Sequence, residues 1–123
     1  MPIRESILQK KSELFADRIV KLYQYVNKQH ETVMSKQIYR SGTSIGANIA
    51  ESVYAQSEAD FINKLNIALK EANETAFWLE RLNRSGYIDD KGYRSMQYDN
   101  EELIKMLTSS IKTMKRKTIC DSE

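Results

Sequence analysis

Apolar side chains recur along this chain at three-, four- and seven-residue steps, and the recurrence divides it into four amphipathic segments. Leu8, Phe15, Ile19, Leu22 and Val26 predict a first helix from about Glu5 to Gln29. Met34, Ile38, Ile45, Ile49 and Val53 predict a second, capped at Thr32 and running to about Tyr54. Phe61, Leu65, Ala68, Ala72, Ala76, Leu79 and Leu82 predict a third, ending near Ser85. Ser57 with Asp60 imitates a capping box at its start, and Gly86 suits a left-handed cap at its end. Met96, Leu103, Leu107, Ile111 and Met114, with Ile104 beside them, predict a fourth helix capped by Asp89 or Asp90. The chain from about residue 118 reads as a frayed tail. Short polar connections at Asn27 to Thr32 and Ala55-Gln56 make neighbouring helices antiparallel. The expectation is one all-α domain over residues 1–123.

The stretch from Arg40 to Ser52 is the most particular. Its apolar face is flanked one turn apart by Gly42 and Gly46, each costing about 1 kcal/mol against alanine inside a helix. Close approach of a neighbouring helix would offset that cost. On the other face lie Arg40, Ser44, Asn48 and Glu51. That stripe supports two readings. In one, its members bond to an adjacent helix or subunit and fix register. In the other, Arg40 and its neighbours touch a nucleic acid, although Glu51 and Glu74 would repel phosphate. The third helix carries Ala76-Phe77-Trp78-Leu79, apolar around much of its circumference. Such a width implies either a broad core or a second buried surface, and aromatics favour subunit contacts.

Composition narrows the classes. One proline, four glycines and 29% charged residues suit helices rather than a sandwich or barrel. The net charge of +2 does not by itself imply nucleic acid, but its distribution is uneven. After Glu102 come Lys105, Lys112, Lys115, Arg116 and Lys117, with no acid until Asp121. Cys120, alone in the sequence, excludes an internal disulfide and fits a reducing cytoplasm. No apolar run approaches the ~18 residues of a membrane span, and no signal peptide is recognised. Nothing suggests an enzyme, a cofactor or a metal: the glycines do not form a phosphate loop, and one histidine with one cysteine cannot hold zinc. His30 reads as a loop residue.

Ser44-Ile45-x-x-Asn48-Ile49-Ala50-Glu51, followed by Asp60-Phe61, Leu65-x-Ile67-Ala68-Leu69 and Ala72-x-Glu74, resembles the bacterial proteins encoded in intervening sequences of 23S ribosomal RNA genes. The chain departs from that pattern at Ser52, where glycine is usual, and at Lys70-Glu71, where a small pair is usual. The resemblance implies an antiparallel, up-down-up-down four-helix bundle that forms a ring-like homopentamer. It extends to the accessory variability determinant of diversity-generating retroelements, and so implies a nucleic-acid-associated, non-enzymatic role. Asn48, Glu51 and Glu74 fall on the family's recurrent polar positions and, with Phe77 and Trp78, are the candidate structural or oligomer residues. The leading expectation is an oligomeric accessory protein binding RNA or DNA with little sequence specificity. Its candidate phosphate contacts are Lys10, Lys11, Arg18, Arg40, Lys112, Lys115, Arg116 and Lys117. The alternative is a homo-oligomeric scaffold for a partner enzyme such as a reverse transcriptase.

Overall fold

The helix-forming periods become α1 (Ile3–Asn27), α2 (Val33–Ser52), α3 (Glu58–Arg84) and α4 (Asp90–Ser122). The computed structural model describes residues 3–122, and side-chain surroundings for residues 7–119. Residue pairs between helices establish direction. Going up α1, Ser12 and Ile19 face Gly46 and Gly42 of α2 in descending order. Lys64 and Glu74 of α3 meet Glu51 and Arg40 of α2, again in reverse. Glu58, Ala72 and Ala76 of α3 meet Thr118, Asn100 and Gln97 of α4. Lys11 and Arg18 meet Glu102 and Asp99. Each helix is therefore antiparallel to the next, and α4 returns to close the four-helix bundle against α1. That last contact is the thinnest of the four.

The core is the pooled apolar stripe of all four helices, with Leu8, Phe15, Ile19, Ile38, Ile45, Leu65, Leu79, Leu82, Leu103 and Leu107 fully or almost fully buried. The close approach expected at the two glycines is present. A Cβ at Gly42 would stand 2.6 Å from Ile19 Cγ1, and one at Gly46 would stand 3.4 Å from the Ser12 carbonyl oxygen. On α3 the buried position is Thr75 rather than the expected Ala76. Thr75 Oγ1 lies 2.9 Å from Ser41 Oγ and 2.8 Å from the Glu71 carbonyl, so its hydroxyl is satisfied where an alanine would need nothing. On α4, Asn100 occupies a fully buried site within the heptad series, its Nδ2 donating to the Ala72 carbonyl at 2.9 Å. Its Oδ1 has no partner among the described residues.

Local chemistry sets the helix ends. Ser57 Oγ accepts from the Asp60 amide at 3.1 Å, while Asp60 reaches back to the Gln56 amide at 3.2 Å. Gly86 takes φ +84°, and the amides of Gly86 and Tyr87 close a Schellman motif on the Asn83 and Leu82 carbonyls. Asp89 caps α4 through the Gly92 amide at 2.7 Å. His30 turns the first connection with φ 67°. Two boundaries differ from expectation. Thr32 does not cap α2; the Glu31 carboxylate instead accepts from the amides of Val33, Met34 and Ser35. Its longer side chain can span three orphan donors. Helix α4 continues to Ser122, past the fraying expected from residue 118. Thr118 Oγ1 stands 2.9 Å from Glu58 of α3 and holds that last stretch to the bundle. The Cys120 side chain lies outside the described residues.

The two glycines should separate on substitution. Gly42→Ala forces its new methyl into Ile19 and should cost roughly 1–3 kcal/mol. Gly46→Ala meets ordinary contact and gains helix propensity, so it should stay within about 1 kcal/mol of wild type. Chemical denaturation of both variants checks this; equal losses would contradict the difference in clearance.

Candidate nucleic-acid interface

The structure sorts the expected phosphate-binding residues into two groups. Lys11, Arg18 and Arg40 are engaged within the subunit. Lys11 Nζ is 2.9 Å from Glu102, bridging α1 to α4. That hydrogen bond and the carboxylate charge raise the ammonium above its ordinary 10.5. Arg18 donates to Asp99 at 2.6 Å and to the Ser95 hydroxyl at 2.9 Å across the same seam. Arg40 bridges α2 to α3, donating to Glu71 at 3.1 Å and to Glu74. Glu74 also accepts from the Trp78 indole at 3.1 Å. Glu71 belongs to the pair at which the sequence departs from the family pattern, and here it supplies half of the Arg40 clamp. The guanidinium is held above its usual range, first by the Glu74 hydrogen bond.

The second group remains available. Lys10, Lys112, Lys115 and Arg116 are exposed and have no ion pair among the described residues. Lys117 reaches only loosely to Glu58, at 3.9 Å. Lys112 and Arg116 share the outward face of α4 with Lys105, which was not among the sequence candidates. Together with Thr108, Ser109 and Thr113 they line a shallow hollow of about 440 Å³ over Ile104. Tyr98, 70% exposed, continues the same face two turns earlier. Lys10 stands apart on α1 and does not line the hollow.

The remaining candidates make contacts within the subunit, and Phe77 is also exposed. Asn48 Nδ2 donates to the Ser44 carbonyl of its own helix at 2.8 Å, not to a neighbouring one. Glu51 pairs with Lys64 of α3 at 3.2 Å. Trp78 is half-buried and packs on the subunit's own core. Phe77, its ring centroid 5.0 Å from that of Trp78, is 53% exposed. The sequence also concealed exposed apolar side chains on α1: Ile7, Leu14 and Tyr25 are all exposed, and Leu14 and Tyr25 line hollows shared with α4. Their spacing falls outside the core series, so only the packing identifies them. Among the described residues, no group of three or more histidine, cysteine, aspartate or glutamate side chains could hold a metal ion. Among the described residues, no helix is long and apolar enough to cross a membrane.

The fold and its polar network define a class: an antiparallel four-helix bundle with a cross-braced α2–α3 pair and a basic terminal helix. Within that class, the sequence profile of the 23S rRNA-intervening sequence protein matches residues 4–109, and the chain belongs to that family. It is similar to a crystal structure from Bacteroides thetaiotaomicron described as a protein with unknown function from the S23 ribosomal protein family. The two share 59% identity and a TM-score of 0.87, over 89% of this chain and 99% of the other. No curated protein matches the chain.

Two carboxylates link this network to pH. Burial works against ionisation of Glu74, but the Trp78 and Arg40 hydrogen bonds outweigh it and hold its pKa below 4.5. Burial likewise opposes Glu31, and three backbone amides hold it below 4.5. Depressed folded values mean stability present above the unfolded pKa and lost as pH falls through the folded values. The thermal unfolding temperature should therefore fall as the pH drops below about 4.5. Glu31→Ala should cost about 1 kcal/mol at neutral pH, as a lost cap does, and flatten that acid dependence. An unchanged acid limb in a Glu31→Ala/Glu74→Gln double variant would disprove the assignment.

Proposed function

We propose that the protein is a non-enzymatic, oligomeric accessory protein of the cytoplasm that binds RNA or DNA through backbone phosphates with little sequence specificity. The carrying observation is the free basic face of α4. From Leu103 to Ile119 the helix has no carboxylate, and Lys105, Lys112, Lys115 and Arg116 are exposed without intramolecular ion pairs among the described residues. Hydroxyls beside such cations suit phosphate oxygens, which position a nucleic acid without reading its bases. Lysines act there as point charges rather than forked readers. Lys11, Arg18 and Arg40 belong to the bundle's bracing in this reading, so the interface narrows to α4, with Lys10 as an outlying contact.

Self-association supports the same function by repeating a modest charge around one particle. The exposed apolar side chains Ile7, Leu14 and Tyr25 on α1 favour it, because they would gain by burial against a second copy. The homopentamer implied by the family resemblance is the expected stoichiometry. The same side chains also favour the second reading, a scaffold that docks a partner enzyme.

Charge reversal tests the first reading. Lys112→Glu/Arg116→Glu should weaken binding of labelled RNA and DNA by about tenfold or more at low salt. It should also flatten the slope of log affinity against log salt by about 0.7–0.9 per lost contact. Unchanged affinity in fluorescence anisotropy would reject α4 as the interface. Leu14→Glu, at a solvent-exposed position, should reduce the particle mass in size-exclusion chromatography with light scattering. A wild-type monomer, or a variant that assembles normally, would remove these α1 side chains from the account.

A further inference from the structure

The outer face of α3, directly opposite its buried stripe, carries a second pattern that the α4 reading does not use. Asn66, Lys70, Asn73, Phe77, Arg81 and Arg84 follow one another at three- and four-residue steps. That row has no carboxylate and more than half-exposes an aromatic ring. The ring has two neighbours. The Trp78 ring stands at 79° to it with centroids 5.0 Å apart, and the Arg81 guanidinium lies over one of its faces, 5.5 Å from the centroid, so a base would stack on the other. Arg81 and Arg84 both lean on Glu80, at 2.8 and 3.2 Å, in partly exposed pairs that cost little to exchange for phosphate. Asn66 and Asn73 are exposed, and each amide offers both donors and an acceptor.

We propose that this face is a base-stacking track for single-stranded nucleic acid, with Phe77 as the platform. The proposal rests on the nucleic-acid reading of α4 and adds strand selectivity to it. The chemistry of the row selects the occupant. Lys70, Arg81 and Arg84 outnumber the one acid that pairs with the row, Glu80, and so complement a polyanion, while an exposed ring one turn from the Asn73 amide complements an unpaired base. A duplex keeps its base faces inside its own stack and presents only phosphates and groove edges, so it cannot use the ring. Phe77 stacks one base, Asn73 reaches its edge, and Lys70 and Arg84 take phosphates on either side. Binding at α4 is then indifferent to strandedness, whereas binding at α3 is not.

Trp78 reports on this site because it is the protein's one tryptophan and touches the Phe77 ring. Intrinsic fluorescence of the full chain would be titrated with oligouridylate, with oligothymidylate and with a duplex of equal length; anisotropy would report total binding. The expected result is quenching by both single strands, little quenching by the duplex, and binding of all three. Phe77→Leu should lower single-strand affinity about tenfold and leave duplex affinity unchanged, while Phe77→Tyr should restore it. Equal single-strand and duplex binding with no effect of Phe77→Leu would overturn the α3 track and leave the α4 reading standing. Loss of particle mass in Phe77→Leu without a change in strand preference would assign the ring to subunit contact and overturn it too. No binding of any probe would remove both.

Discussion

The bundle depends on how closely α1 can approach α2. Gly42 and Gly46 remove two side chains from the facing surface of α2, and Ile19 and the Ser12 backbone occupy the space. A helix interior gives up about 1 kcal/mol for each glycine, and here the cost is offset by packing of one helix against another's backbone. The opposite side of α1 is packed differently. The α1–α4 seam is thin, bridged by Lys11–Glu102 and by Arg18 with Asp99 and Ser95, and Leu14 and Tyr25 beside it are exposed.

Charge is divided along the same lines. Bases near the middle of the bundle meet carboxylates across a seam and hold helices in register. Bases on the last turns of α4 meet few, because α3 has already reached its first residue at Glu58. The small net charge of +2 hides this separation. A nearly balanced composition can still present a strongly biased patch when pairing consumes one part of the chain and spares another.

The fold was largely legible in the sequence because its determinants are local. Gly86, the Ser57–Asp60 box and the helical periods act within a few residues of themselves, and they operate as expected apart from Ala76, displaced from the core by Thr75, and Val53, which lies beyond α2 and is exposed. The family resemblance was legible for the same reason, in short motifs. What could not be read depends on partners distant in sequence. Thr75 replaces Ala76 in the core because Ser41 stands opposite it, and Asn100 is admitted to the core by a carbonyl of α3. Glu31 caps α2 because three amides converge on it, although Thr32 has the residue type that usually does so. Which bases remain free is a question of tertiary pairing, so Lys11, Arg18 and Arg40 looked equivalent to Lys112 until their neighbours were in place.

Asn100 has a mechanical consequence. An apolar seam between two long parallel-sided rods has no strong preference for one axial position, since a slide of one turn brings similar side chains back together. A single amide tethered to the Ala72 carbonyl breaks that degeneracy. The terminal helix cannot creep along its neighbour without stranding the amide in a dry layer. Its charged far end therefore stays at a set height above the α3 aromatic row, and the distance between them behaves as a fixed gauge.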